Sequence, residues 1–139
     1  MHDNVNITLP GFAKYKGKGF YAFILHRISG LGTILFLTLH ITTTATVFFA
    51  PQWYDVLVEI FRNPIIMIAE IILAFFVIYH GVNGLRIAYV DLIRPDLWKK
   101  KPTSRLISAV FIVTFLLWLP AAGILGYNLL KYGFNLFGS

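Results

Sequence analysis

The 139-residue sequence predicts an all-α integral membrane protein of three transmembrane helices with a cytoplasmic N-terminus. Three observations lead there. Only 13% of the residues are charged and 58% are hydrophobic, whereas soluble domains carry about 25% charged residues. Three stretches are each apolar over the roughly 20 residues needed to cross a hydrocarbon core about 30 Å thick. Lys and Arg fall mainly on one side of the resulting topology. With three spans in so short a chain, residues 1–139 form a single membrane domain and leave no room for a separate soluble one.

Residues 1–27 read as a cytoplasmic arm, in which Pro10-Gly11 and Gly17 to Gly19 interrupt regular structure. The arm has no short apolar core followed by a small-residue cleavage site, and it lacks the Arg- and Ser-rich character of a transit peptide. A mature bacterial or archaeal protein of the cell membrane is therefore expected. The first span covers residues 28–50, stops before Pro51, and holds one ionisable residue, His40. In the connection that follows, Trp53, Val56, Leu57 and Ile60 recur at helical spacing with Asp55 and Glu59 opposite. That pattern predicts a short helix lying in the membrane interface. The second span, 64–85, opens on Pro64, which is tolerated in a helix's first turn, and contains Glu70 and His80. The third span, 106–130, holds no charge, and Pro120 is expected to kink it.

Orientation follows from the 12 Lys and Arg residues. Four lie in the arm (Lys14, Lys16, Lys18, Arg27) and six in the second connection (Arg86, Arg94, Lys99, Lys100, Lys101, Arg105). Only Arg62 and Lys131 fall on the other side. Ten against two places the arm and the second connection in the cytoplasm. The net charge of +6 is thus an orientation signal; the expected partner is the lipid bilayer and not nucleic acid.

The chain has no cysteine. That excludes thiolate-held iron–sulfur clusters, disulfides and covalently attached c-type haem. No flavin or nucleotide motif is present, so the chain is expected to be a non-catalytic subunit. His2 lies in the arm, where no chemistry is expected. Ionisable residues inside a spanning helix are costly and mark sites. His80 can be a haem ligand, as neutral imidazole often is, or a histidine satisfied by a neighbouring helix's backbone. Gly84 and Asn83 lie on its helix face, and a flat cofactor needs small residues beside its ligand. Arg86 lies about 9 Å farther along the helix, as a propionate partner or a positive-inside anchor. Where the first span enters the membrane, His26, Arg27 and Ser29 cluster. Arg27 can pair with a propionate, hydrogen-bond a quinone carbonyl, or extend to the headgroups.

Two runs carry a family resemblance. Leu25-His26-Arg27-Ile28-Ser29-Gly30 resembles the His-Arg-x-Ser/Thr-Gly signature of the cytochrome b subunit of succinate dehydrogenase, the membrane anchor of respiratory complex II. His80-Gly81-Val82-Asn83-Gly84-Leu85-Arg86 resembles that family's His-x-x-x-Gly-[Ile/Leu]-Arg signature. The resemblance spans residues 20–105 and implies a helical bundle with a second membrane anchor subunit. It also implies a flavoprotein and an iron–sulfur subunit docked on the cytoplasmic face, with electrons passing to a membrane quinone. On this reading His80 is the proximal axial ligand of a haem b. Arg27, His26 and Arg86 lie at the propionates, and Arg27, Ser29 and Tyr21 at the quinone. One departure stands out: many relatives carry a quinone-contacting Ser three residues before the motif His, and here that position is Phe23.

His40 lies 13 residues past Arg27, hence about 20 Å deep, while His80 lies about 9 Å deep counted from Arg86. Two imidazoles on one iron face each other at one depth with bonds of about 2 Å, so with a gap near 11 Å His40 and His80 cannot share one iron, and if both bind haem they bind two. Some members of the wider family hold a distal haem from the first helix, and His40 fits that pattern. The alternative is a His40 bonded across helices or to nearby Thr residues. Glu70, near the outer end, suits a proton path or the partner interface. Two rival functions remain: a fumarate reductase anchor of the same architecture, and a cofactor-free structural membrane subunit.

Overall fold

The structure, a computed structural model, describes residues 18–99 and 103–136. Residues 1–17 of the expected arm and Lys100 and Lys101 of the basic connection lie outside the described residues. Among the described residues all regular structure is helical: α1 (Lys18–Phe49), α2 (Pro51–Phe61), α3 (Pro64–Leu92), a 3-10 turn (Pro95–Lys99), α4 (Thr103–Asn128) and a closing π-helical turn (Leu129–Gly133). α1, α3 and α4 with its closing turn are long and apolar enough to cross a membrane.

The helices outrun the spans expected from hydropathy. α1 begins at Lys18, not at Ile28. Gly19 lowers helix propensity by about 1 kcal/mol relative to Ala, yet the helix runs through it, and a Cβ there would lie 3.9 Å from Ile107 of α4. α3 continues past Leu85 to Leu92, because charge marks where a helix leaves the membrane and not where it ends. Its end is set by Pro95, which disfavours helix in the residue before it. Asn63 opens α3: its side-chain oxygen accepts the Ile65 N–H at 3.0 Å, and Pro64 occupies the first turn.

α2 forms where a short helix was expected. Trp53, Val56 and Ile60 remain exposed, as apolar residues bedded in a lipid interface would be. Its other flank packs on α1 and α3.

α3 is central and antiparallel to both long neighbours. Against α1, Gly84 meets His26, His80 meets Gly30, and Phe76 meets Gly32. Against α4, Ile71 meets Trp118, Phe75 meets Phe115, and Tyr79 meets Phe111. The glycines matter because apolar burial gives little drive between helices in lipid, so close backbone approach and interhelical hydrogen bonds hold them. A Cβ at Gly32 would lie 2.6 Å from the Phe76 ring. Interhelical bonds tie the bundle: Trp118 Nε1–H donates to the Ile71 carbonyl and Tyr79 Oη–H to the Ala22 carbonyl, both at 3.1 Å, and His80 Nδ1 meets the His26 carbonyl. The core gathers toward the Arg86 end around Ala22, Tyr79, Val90, Ile107 and Val110, and it includes the polar Ser29, Asn83 and Thr114.

Candidate cofactor site between α1 and α3

One turn of α1 and two turns of α3 build the site. Gly30 lets the helices approach until the His80 ring rests on the α1 backbone: a Cβ there would lie 3.0 Å from His80 Cε1. The imidazole edge meets that backbone, with Nδ1 3.2 Å from the His26 carbonyl oxygen. A carbonyl only accepts, so Nδ1 carries the proton and Nε2 keeps its lone pair. Nε2 makes no hydrogen bond among the described residues. Ser29 Oγ–H also donates to the His26 carbonyl, at 3.0 Å, and Oγ lies 3.5 Å from His80 Nδ1.

The His26 ring stacks on the His80 ring, with centroids 4.3 Å apart and planes 2° from parallel. The stack covers a face of His80 and leaves its edge free, and imidazole coordinates a metal through the edge. Beside His80 the α3 surface is open: Gly81 is exposed with nothing within 4 Å of a Cβ, and a Cβ at Gly84 would meet only His26.

Buried polar atoms on the same stretches of α1 and α3 lack partners: His26 Nδ1, Arg86 Nε, and both side-chain polar atoms of Asn83. Such atoms cost about 1–3 kcal/mol each when unsatisfied. With Arg86 contributing a cation, they suit an anionic group brought from outside the chain. No three His, Asp or Glu side chains converge on a metal position among the described residues. A metal at His80 would need ligands from beyond the described residues.

The expected quinone residues do not converge. At 100° per residue, Arg27 and Tyr21 lie about 120° apart on α1, and Arg27 and Ser29 about 160° apart. Ser29 is 0% exposed and faces His80. Tyr21 lines a groove with Ile107, Ser108 and Phe111. Arg27 is exposed, its guanidinium 4.7 Å above the Phe23 ring. That cation–π pair occupies the position where a relative's serine was expected; the i, i+4 spacing of Phe and Arg was its sequence signal.

His40 is exposed on α1 and stacks on Phe36 at 5.6 Å. Its ring makes no hydrogen bond among the described residues; Thr44 bonds the His40 main-chain carbonyl instead. His40 and Glu70 line one cavity of about 220 Å³, together with Phe36, Thr43 and Phe61. Since His80 sits level with Gly30, His40 is ten residues farther along α1, a separation of about 15 Å. That exceeds the 11 Å counted from the sequence, because Arg27 and Arg86 do not mark a common level. At the bundle's end, hydrogen bonding to Asp96 at 3.1 Å pushes the Arg94 guanidinium above its ordinary pKa, so Arg94 stays charged.

Sequence reasoning missed Tyr79 as an interhelical tie. A hydroxyl-bearing aromatic within an apolar span, beside a candidate ligand, was the available signal.

Residues 8–121 match the family of the succinate dehydrogenase/fumarate reductase transmembrane subunit. The chain is also similar to the succinate dehydrogenase 2 membrane subunit SdhC of Mycobacterium tuberculosis (strain ATCC 25618 / H37Rv). The two are 28% identical over 129 residues, covering 88% of this chain and 89% of that protein.

Proposed function

The chain belongs to the succinate dehydrogenase/fumarate reductase transmembrane subunit family, and on that premise we propose that it is the haem b-bearing membrane anchor of a succinate dehydrogenase. Membership makes it a multi-pass membrane subunit of a complex with catalytic subunits. The proposal adds the partners: a flavoprotein, an iron–sulfur subunit and a second membrane anchor. The Lys and Arg distribution sets the Arg86 end in the cytoplasm, where the iron–sulfur subunit docks.

The observation that carries the reading is the His80 imidazole, protonated at Nδ1 by its bond to the His26 carbonyl and free at Nε2. Metal-ligating histidines commonly hold their second nitrogen this way. His80 Nε2 would hold the iron, and the unpartnered nitrogens of Arg86 and His26 would receive the propionates. Bound haem b supplies one-electron chemistry between the iron–sulfur subunit and the quinone pool. Arg27, on the outward flank of α1, stabilises negative charge on the quinone as a fixed cation; Tyr21 borders a separate groove.

A second haem belongs to the same reading. His40 faces outward from this chain with an unbonded ring. It lies about 15 Å from the His80 level, so it would hold a second haem, shared with the partner anchor, rather than the one at His80. The family joins succinate oxidation and fumarate reduction; the quinone type and haem potentials decide the direction.

The test is a reduced-minus-oxidised spectrum of the purified complex, before and after His80→Ala. A b-type band in the wild type, diminished in the variant, is expected. A complex without that band would leave the cofactor-free anchor as the answer, and an unchanged variant spectrum would remove His80 as ligand.

A further inference from the structure

Ser29 carries the hydroxyl on α1 that back-bonds to the carbonyl also shared by His80. It is 0% exposed, and it belongs to the few polar side chains in the bundle core. Its hydroxyl donates to the His26 carbonyl at 3.0 Å, the same oxygen that accepts His80 Nδ1–H at 3.2 Å. The direct Oγ to Nδ1 distance, 3.5 Å, is too long for a useful hydrogen bond. The hydroxyl therefore acts on His80 through the shared carbonyl.

That carbonyl is also the helical acceptor for the Gly30 N–H, one turn on. A carbonyl oxygen has two lone pairs, and here three donors converge on it. Each donor weakens the pull available to the others. We propose that Ser29 is a positioning residue for His80: by occupying part of the His26 carbonyl it limits how strongly that carbonyl draws on the Nδ1 proton. The inference rests on the reading of His80 as a haem ligand.

The consequence has a sign. Removing the hydroxyl leaves the carbonyl a better acceptor for Nδ1–H. A stronger bond there makes Nε2 a better electron donor. A more basic axial ligand favours oxidised iron, so the haem potential falls. The ring itself stays placed, because the Nδ1 bond and the His26 stack remain.

The experiment uses the whole membrane complex carrying Ser29→Ala, Ser29→Gly, Ser29→Thr or Thr38→Ala. Thr38 makes the same kind of bond within α1, to the Ile34 carbonyl at 2.8 Å, but on an exposed flank. The readouts are haem per complex, redox titration of the b-type band, and low-temperature electron paramagnetic resonance of the oxidised haem. Ser29→Ala and Ser29→Gly should retain haem and shift its resonance. At a fixed solution potential their ratio of reduced to oxidised haem should fall several-fold. Ser29→Thr, which keeps the hydroxyl, and Thr38→Ala should titrate as wild type. Alanine and glycine variants that titrate as wild type, or at higher potential, would overturn the assignment while leaving His80 as ligand. A wild-type complex without a b-type band would instead overturn the haem reading, and the Ser29 role with it.

Discussion

The closest approach at the candidate site gives its sharpest test, Gly30→Ala. The added Cβ would lie 3.0 Å from His80 Cε1 and 3.4 Å from Nδ1, where ordinary carbon contacts need about 3.5–4.0 Å. His80 cannot slide freely, because its ring is stacked on His26 and its Nδ1 is bonded at 3.2 Å. Receding by about 0.5 Å stretches that bond to about 3.7 Å, outside hydrogen-bond range. The lost bond is worth about 0.5–1.5 kcal/mol, and overpacking of this kind costs about 1–3 kcal/mol. Taking about 2 kcal/mol against His80 placement, haem affinity falls roughly 30-fold. The fold itself is less affected, since alanine gains about 0.8–1 kcal/mol over glycine within a helix. Haem titration into the haem-depleted complex, alongside thermal unfolding, separates the two effects. Gly123→Ala is the control, as nothing lies within 4 Å of its Cβ. If Gly30→Ala binds haem as tightly as Gly123→Ala, His80 is not held against α1 in the way argued.

Tyr79→Phe should lower stability by about 0.6–1 kcal/mol through loss of the buried bond to Ala22, a typical cost for an interhelical bond in a membrane. Its contacts with Phe75 and Phe111 survive, so haem content should not change; unfolding in detergent and haem quantification check both parts. Arg86→Gln should weaken haem binding by about tenfold, the cost of one charge-assisted hydrogen bond, while Arg94→Gln on the exposed connection should not; haem titration of the two variants decides. His40→Ala should remove one of two haems per copy without loss of assembly, and full haem content in that variant would exclude His40 as a ligand.

The number, order and apolar character of the spanning helices were legible because lipid imposes a simple condition. A spanning segment must satisfy its own backbone and expose apolar side chains for about 30 Å. Residues 28–50, 64–85 and 106–130 met that condition, and α1, α3 and α4 with its closing turn cover all of them but Ala50. The short helix α2 was legible for a related reason: Trp53, Val56 and Ile60 share one stripe. Helix ends were less legible, because α1 and α3 continue beyond the membrane boundary that charge marks. Relative depth suffered likewise. Arg27 and Arg86 both mark a boundary, but Gly84 faces His26 and His80 faces Gly30. This register puts Arg27 near the level of Asn83, one turn from where a count from Arg86 would put it.

Direction around a helix was the least legible property, and it governs the site. His26, Arg27 and Ser29 stand together in sequence, yet Ser29 faces His80 while Arg27 lies over Phe23 on the opposite flank. The two readings of His80 meet at this point. A histidine satisfied by a neighbouring backbone and a histidine poised to bind iron make the same Nδ1 bond, so that bond alone cannot separate them. The distinction lies at the other edge of the ring. A histidine serving only the α1 backbone has no use for its second nitrogen, whereas an iron ligand needs that lone pair unengaged. Here Nε2 has no hydrogen-bond partner among the described residues, while His26 Nδ1 and Arg86 Nε are buried and unpartnered. Those two buried nitrogens cost about 1–3 kcal/mol each when unsatisfied, so this set of groups is an expensive way to pack two helices. It is an economical arrangement for a flat anionic ligand whose metal needs the lone pair and whose acids need the donors.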